Sequence, residues 1–492
     1  MNRITLPEAT LGVDIGTTGC RCVAYTVEAE VVATAERFYP TASPKPGWAE
    51  QDPDLVLTQV EECIKVAIKS AEEAYYRVTL ISFSAVNHGL IPLCEGQPLR
   101  PCIIWADNRS ASITEQWRSE GRQKEFYEKT CCPIHPMYLP GKLVWLSKEE
   151  PEIFQRADHF LSLKELLFYR WFGRFVIDAS IASSTGLFNV KKFNWDDEIL
   201  RTTGVRPEQL SEIVPTTNIF SGVNREVSNR LGLSSDVRVI IGAGDGVLSS
   251  LGAGALSPGE VTVMIGTSGA ARITVAKPTL DSQERTWCYY LAEGAWVVGG
   301  AINNAGLTLQ WVREKWLNGA SFEEVEKLSA QVTSGSEGLM LMPFLTGERS
   351  PNWEPSIRAA LIGLDMAHGP AHFARAAMEG VAYRLKSVFE PIVEMTGGVR
   401  SVRIGGGFIA SPTWVQIMAD VLNTPLEILD EPQGSAFGAV VLAWLAVGRK
   451  KDLGACRRLS RIKNVVYPNP KQAIFYENQY SQYQQIYNRL YS

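Results

Sequence analysis

The feature that most constrains this chain is an internal repeat. Val13-Asp14-Ile15-Gly16-Thr17-Thr18-Gly19 recurs as Val263-Met264-Ile265-Gly266-Thr267-Ser268-Gly269, and the apolar Leu11 and Val23 around the first copy have counterparts in Val261 and Ile273. The first copy reads as a strand, a glycine turn and a second strand, which is a hairpin. Two such units 250 positions apart (263 against 13) in 492 residues point to a duplication with one hairpin per domain. Chance similarity of Gly/Thr turns is the alternative. Length favours two domains, because a single hydrophobic core stops growing well below this size.

Strands and helices alternate between the anchors, which predicts an α/β fold. Asp52-Pro53 opens an amphipathic helix to about Tyr76, with Asp as cap and Pro in the first turn, and Leu80 to Val86 follows as a buried strand. Phe373, Ala377, Val381, Leu385, Val388 and Ile392 repeat at helical spacing until Gly397-Gly398 ends the run. The junction is expected just after the strand Val237 to Gly242, in the Gly-rich stretch up to Gly246, giving domains of 1–243 and 244–492. Tyr476 to Tyr487 is a Tyr/Gln-rich helical tail whose packing the sequence does not define.

Several function classes are disfavoured. A net charge of −5 and a pI near 5.8 give no general attraction to nucleic acid or an acidic membrane. The N-terminal ten residues lack the apolar core of a signal peptide, and the longest apolar run, Ala436 to Val447, is too short to span a bilayer. A cytoplasmic protein is expected. Its nine cysteines are scattered without zinc spacing and read as reduced thiols in the core. No H-E-x-x-H, G-x-S-x-G or G-x-x-x-x-G-K-S/T motif occurs, which removes the common zinc protease, α/β-hydrolase and P-loop readings.

The remaining candidates suit phosphoryl transfer. Asp14 ends a buried strand beside glycines and the hydroxyls of Thr17 and Thr18, a setting in which an acid can hold Mg²⁺ directly or through water. An Asp bonding its own turn is the plainer reading. The second copy has Met264 in place of the acid and offers Thr267 and backbone N–H groups to phosphate. Asp245, in Gly242-Ala-Gly-Asp-Gly246, follows an apolar strand where a kinase needs a carboxylate to accept the proton of an attacking hydroxyl. Gly405-Gly406-Gly407 leads to Ser411-Pro412, a helix start, and forms a flat wall or simply a tight turn. Asn87-His88-Gly89 and Trp105-Ala-Asp107-Asn-Arg109 end strand-like runs and carry groups that bond hydroxyls.

These residues resemble the FGGY family of sugar kinases over nearly the whole chain. Ala359-Ala-Leu-Ile-Gly363-Leu364, followed after seven residues by His372-Phe-Ala-Arg-Ala-Ala-Met-Glu379, fits one family signature. Met137 to Glu149 fits the other, with Leu139 where Pro, Ser or Thr is usual; Gly47 to Pro53 and Gly347 to Pro351 also resemble family blocks. The resemblance implies two ribonuclease H-like, actin-like ATPase domains around a cleft, ATP with Mg²⁺, and transfer of the γ-phosphoryl group to a sugar or polyol. It implies Asp14, Thr17 and Thr18 at metal and phosphate, and Gly266 and Thr267 at the terminal phosphates. Gly306, Gln310, Gly406, Gly407 and Ser411 would border adenosine. Asn87, His88, Trp105 and Asp107 would line the substrate side, with Asp245 as base. The blocks Trp105 to Ser110, Gly244 to Ser249 and Gly300 to Asn304 are most similar to those of gluconate kinases, for which Arg109 is a candidate carboxylate contact or else a structural ion pair. Asn87 departs from the Met that gluconate and xylulose kinases usually carry before His. A pentulose or polyol kinase, and an actin-fold ATPase that switches without a sugar, are the alternatives. The expected partner is a small polyhydroxylated molecule; a homodimer is compatible with the sequence.

Overall fold

The computed structural model describes residues 6–430 and 434–491, with the side chains of Cys456 and Arg458 left out. The first five residues, part of the stretch in which no signal peptide was read, lie outside the described residues. The first sheet contains β1 (Glu8–Ile15), β2 (Gly19–Tyr25), β3 (Val31–Phe38), β4 (Arg77–Ala85), β5 (Ile219–Phe220) and β6 (Arg238–Gly244), in the order β5-β6-β4-β1-β2-β3. The second contains β7 (Glu260–Ile265), β8 (Gly269–Val275), β9 (Trp287–Ala292), β10 (Ala295–Ile302), β11 (Ser401–Gly405), β12 (Leu426–Leu429) and β13 (Ile462–Val466), in the order β9-β10-β8-β7-β11-β12-β13.

Five strands of each sheet are arranged identically. β3-β2-β1 and β10-β8-β7 are antiparallel, and β4 then β6, or β11 then β12, extend the sheet in parallel. This is the ribonuclease H-like arrangement, present twice. The central strands are apolar because both faces are covered: Leu11, Val13 and Ile15 of β1 and Val261, Val263 and Ile265 of β7 are all buried.

The two glycine turns match in length but close differently. The N–H of Gly16 donates to the Gly19 carbonyl and Ile15 pairs with Cys20, whereas that of Gly266 donates to Ser268 and Ile265 pairs with Gly269. Duplicated residues therefore do not guarantee duplicated turns.

Ten helices position the site. α1 (Pro53–Glu73) starts where expected, with the Asp52 carboxylate accepting from the N–H groups of Asp54 and Leu55. α2 (Leu139–Glu149) and α3 (Leu163–Phe172) carry the buried Lys142 and Lys164. α4 (Asp245–Gly252) continues directly from β6, and α5 (Gly306–Trp316) and α6 (Phe322–Gln331) follow β10. α7 (Pro370–Thr396) has Pro at its first position and stops at Gly397, whose φ is +75°. α8 (Pro412–Leu422) follows the glycine run, with Ser411 as its cap. α9 (Ser435–Ala446) is the long apolar run of the sequence. α10 (Pro470–Tyr491) is the aromatic tail, and its Tyr476 and Tyr480 hydroxyls donate to Glu379 and Glu390 of α7.

α9 is apolar all round because it is enclosed all round. It lies against β1 and β4 of the first sheet and against α4, and the Trp444 indole donates to Thr10 at 2.9 Å. A Cβ on Gly12 would lie 2.2 Å from the Ala436 carbonyl oxygen, and one on Gly438 would lie 2.2 Å from that of Leu248. The late sequence thus braces the strand that carries Asp14 and the helix that begins with Asp245. No described helix is long and apolar enough to cross a membrane. The eight described cysteines are free thiols, seven of them buried. Because its Cβ would collide with backbone, Gly438→Val is expected to lower unfolding free energy by about 1–3 kcal/mol or more in urea titrations. Wild-type stability in that variant would contradict the close packing.

Candidate active site

Asp245 is the first residue of α4, so its carboxylate sits at the C-terminal end of β6 and accepts from the Gly246 N–H at 2.6 Å. The strand end is held from behind. Lys164 Nζ donates to the carbonyls of Ile241 and Ala243 and pairs with Asp178 at 2.6 Å, while the Ser180 hydroxyl accepts from the Gly244 N–H. Burial pushes the Asp245 carboxyl up to about 6; the nearby charge of Asp14 adds to the shift and Arg272 opposes it. Asp14, at the end of β1, accepts from Ser84 Oγ at 2.6 Å and is also raised by burial. Two neighbouring carboxyl groups are therefore held where full ionisation of both is disfavoured.

A cavity of about 170 Å³ opens in front of Asp245, lined by Thr17, Asn87, His88, Trp105, Met137, Arg272, Trp287, Tyr289 and Arg349 among others. Asn87 Oδ1 and His88 Nδ1 are buried in it with no hydrogen-bond partner. Unpaired buried polar atoms of this kind are costly and suit a ligand rich in hydroxyls. Burial and the cations Lys142 and Arg349 keep His88 neutral, so it can donate from one ring nitrogen and accept at the other. His88 has a φ of +66°, and Lys142 fixes that turn by donating to the carbonyls of His88 (2.7 Å) and Ile104 (2.9 Å). Lys142, in the family-like segment of α2, thus positions both edges of the cavity. Burial lowers its own pKa to about 7. The Trp105 indole N–H is already spent on Thr17 Oγ1 at 2.8 Å, leaving the ring as a wall.

The structure does not bring Asp107 into this cavity. It is fully buried: its Oδ2 accepts from the Ala49 N–H (2.6 Å) and Arg109 Nη2 (2.7 Å), and its Oδ1 from the Arg109 N–H (2.9 Å) and Nε (2.8 Å). With its acceptor sites occupied, Asp107 fastens the Trp105 loop to the 47–51 segment. Arg109 is the structural partner in that fastening, paired also with Glu50 and stacked on Trp48 at 3.7 Å. The cations that do reach the cavity are Arg272 and Arg349, which were not singled out from the sequence. Arg272 had one signal, as a charged residue in the otherwise apolar run Ala270-Ala-Arg-Ile-Thr274. Arg349 lay in the Gly347 to Pro351 block without a role.

A second cavity of about 490 Å³ is lined by Gly266, Thr267, Gly306, Gln310, Phe322, Glu326, Gly407, Phe408, Ser411 and Trp414 among others. Gly306 lets the N-terminus of α5 approach the second glycine turn: its N–H donates to the Gly266 carbonyl at 3.0 Å, where a Cβ would collide at 2.3 Å. An N-terminus aimed at that turn favours anionic groups. Gly406 does not line the cavity but shapes it, with a φ of +98° and no room for a Cβ beside the Ile265 carbonyl. Ser411 caps α8 and donates to Glu326, so its hydroxyl is committed. Phe322 and Glu326 come from α6, whose sequence carries only an ordinary capping box. Thr18 is exposed on the first turn and outside these cavities. A third space of about 460 Å³, lined by Thr267, Ser268, Trp105 and Arg349 among others, shares residues with both cavities. The three make one cleft, with the second glycine turn between its two ends.

Residues 9–252 match the N-terminal domain of the FGGY family of carbohydrate kinases, and residues 261–447 match its C-terminal domain. A gluconokinase of Bacillus subtilis (strain 168) is 38% identical over 451 residues, covering 89% of this chain and 88% of that protein. A crystal structure of gluconate kinase from Lactobacillus acidophilus matches with a TM-score of 0.93 at 31% identity, covering 99% of this chain and 98% of that one. A ligand-bound xylulose kinase from Lactobacillus acidophilus also matches with a TM-score of 0.93 at 31% identity, covering 98% of each chain. The chain belongs to the FGGY family of carbohydrate kinases and is an ATP-dependent phosphotransferase acting on a small molecule.

Proposed function

We propose that this kinase is a gluconokinase, which transfers the γ-phosphoryl group of ATP to the terminal hydroxyl of gluconate and gives 6-phosphogluconate. The observation that carries the reading is one cleft in which a half-buried carboxylate with a raised pKa, Asp245, shares a cavity with unpartnered polar groups, and that cavity continues to a glycine turn with a helix N-terminus. The gluconokinase relative, and two arginines in the sugar cavity suited to an acid, favour gluconate. A pentulose is the second reading, favoured by His88-Gly89 and by the xylulose kinase of equal structural similarity. Free thiols in the described core fit a cytoplasmic location.

The acceptor hydroxyl, hydrogen-bonded to Asp245, attacks the γ-phosphorus. A new P–O bond forms as the bond to the β–γ bridging oxygen breaks, the electron pair leaves with ADP, and the hydroxyl proton passes to the Asp245 carboxylate. Gly266, Thr267 and the α5 N-terminus would hold the terminal phosphates, with Thr17 of the first turn facing them. Gly306, Gln310, Gly407 and Ser411 would border adenosine, with Gly406 shaping the turn behind them. Asn87, His88 and the Trp105 ring would orient the sugar. Mg²⁺ fits a site of this kind, since Asp14 is a half-buried carboxylate beside the first glycine turn that accepts from Ser84 at Oδ1, and nucleotide phosphates would complete the ion's shell. When bound, the ion would neutralise phosphate charge. Closure of the lobes, which we place at 1–243 and 244–492, would exclude water.

Asp245→Asn is expected to lower gluconate-dependent ADP release about 10²- to 10⁴-fold, with melting temperature and ATP-analogue binding retained; near-normal turnover would remove Asp245 as base. The base must be ionised, so kcat/KM should be full above about pH 6 and fall below it. A profile flat to about one unit below that value would contradict the assignment. Lys142→Met strands the carbonyls of His88 and Ile104 and should raise the gluconate KM about tenfold or more with the ATP KM unchanged. Equal changes in both constants would mean that Lys142 does not act on the sugar side alone.

A further inference from the structure

The gluconate reading requires a group that recognises the carboxylate. Arg272 lies on β8, two residues beyond Ala270, and both residues face the sugar cavity. Its stem fits because residue 299 on the neighbouring strand is glycine, where a Cβ would lie 2.9 Å from Arg272 Cγ. Its guanidinium rests against Gly246, next to the catalytic carboxylate: a Cβ there would lie 3.5 Å from Nε and 3.6 Å from Nη2. Nε and Nη1 are buried without any hydrogen-bond partner. No described carboxylate lies within ion-pair distance, although Asp245 acts on it through space. Burial pulls its pKa down to about 10, the direction expected of a cation that lacks a contacting counter-ion.

The other cavity arginine is partly occupied, although its Nε is also buried without a partner. Arg349 donates to the Ile302 carbonyl at 3.0 Å, lies over the Trp105 ring at 4.7 Å, and borders both the sugar cavity and the passage toward the nucleotide. Arg272 borders the sugar cavity and not that passage or the nucleotide cavity. A planar guanidinium with free buried N–H groups at a cavity wall matches a carboxylate in a two-pronged contact.

Building on the gluconate reading above, we propose that Arg272 is the carboxylate-binding group of the sugar cavity and selects straight-chain sugar acids over neutral sugars and alditols. A neutral acceptor would leave the buried N–H groups of Arg272 without a charged partner, and an acid satisfies them. Specificity thus resides on β8, in the strand that leaves the second glycine turn, and not in the Trp105 to Arg109 loop.

The test compares binding of D-gluconate and of D-glucitol, its neutral counterpart, to wild type, Arg272→Met and Arg272→Lys in the presence of ADP by calorimetry, with kcat/KM for gluconate followed against pH. Wild type is expected to favour gluconate by about 100-fold or more. Arg272→Met should abolish that gap while glucitol binding changes less than about threefold, and Arg272→Lys, which keeps the charge without the fork, should retain part of it. Circular dichroism and ADP binding verify that each variant is folded. If Arg272→Met keeps the gap, the carboxylate is recognised elsewhere and the inference is wrong. If the gap stays while turnover falls and the acid limb moves up in pH, Arg272 serves only to keep Asp245 ionised, and the inference is again wrong. If wild type shows no gap, the gluconate reading itself fails.

Discussion

Two carboxyl groups, Asp14 and Asp245, sit half-buried at the ends of parallel-running strands of one sheet, and each is pushed toward its neutral form. Leaving both charged in that setting is unfavourable without cations nearby. Much of the site can be understood as the arrangement that makes this tolerable: Arg272 and Arg349 lower the pKa of Asp245, and Ser84 bonds Asp14. The division of labour proposed for the two acids follows from position. Asp14 stands by the turn; Asp245 opens a helix facing the sugar cavity.

The fold supplies these positions by using one sheet twice and differently. The second copy has Met264 where the first has its acid, and its turn closes one residue earlier in register. It lines the second cavity with Gly266 and Thr267, backed by α5. Buried lysines act as fasteners: Lys164 ties down the end of β6 and Lys142 ties together the two segments that carry His88 and Trp105. α9, from late in the sequence, braces β1 and α4, so the first lobe depends on a helix encoded in the second half of the chain.

Much of this was legible in the sequence. The repeat gave both hairpins, the Asp52-Pro53 cap gave the start of α1, and the polar ends of apolar runs led to Asn87, His88 and Trp105. Backbone-level features of this sort are local, and glycine, proline and strand periodicity record them. Asp107 and Arg109 misled because the sequence shows which side chains are polar but not which polar partners consume them; here they consume each other. Arg272 was hidden for the opposite reason, since its strand looked apolar and its exposure to the cavity depends on Gly299 across the sheet. The aromatic tail is a similar case, its partners Glu379 and Glu390 lying in a helix some hundred residues earlier by about the separations 97 and 90.

The account centres on transfer of a phosphoryl group to the terminal hydroxyl of a sugar acid held before Asp245. Phosphorus and carbon NMR of the product formed by the wild-type enzyme from ATP, Mg²⁺ and D-gluconate tests it most directly. The account predicts a phosphate ester whose phosphorus couples to C6, formed in step with ADP. Unchanged gluconate beside accumulating inorganic phosphate, or an ester at another carbon, would contradict it.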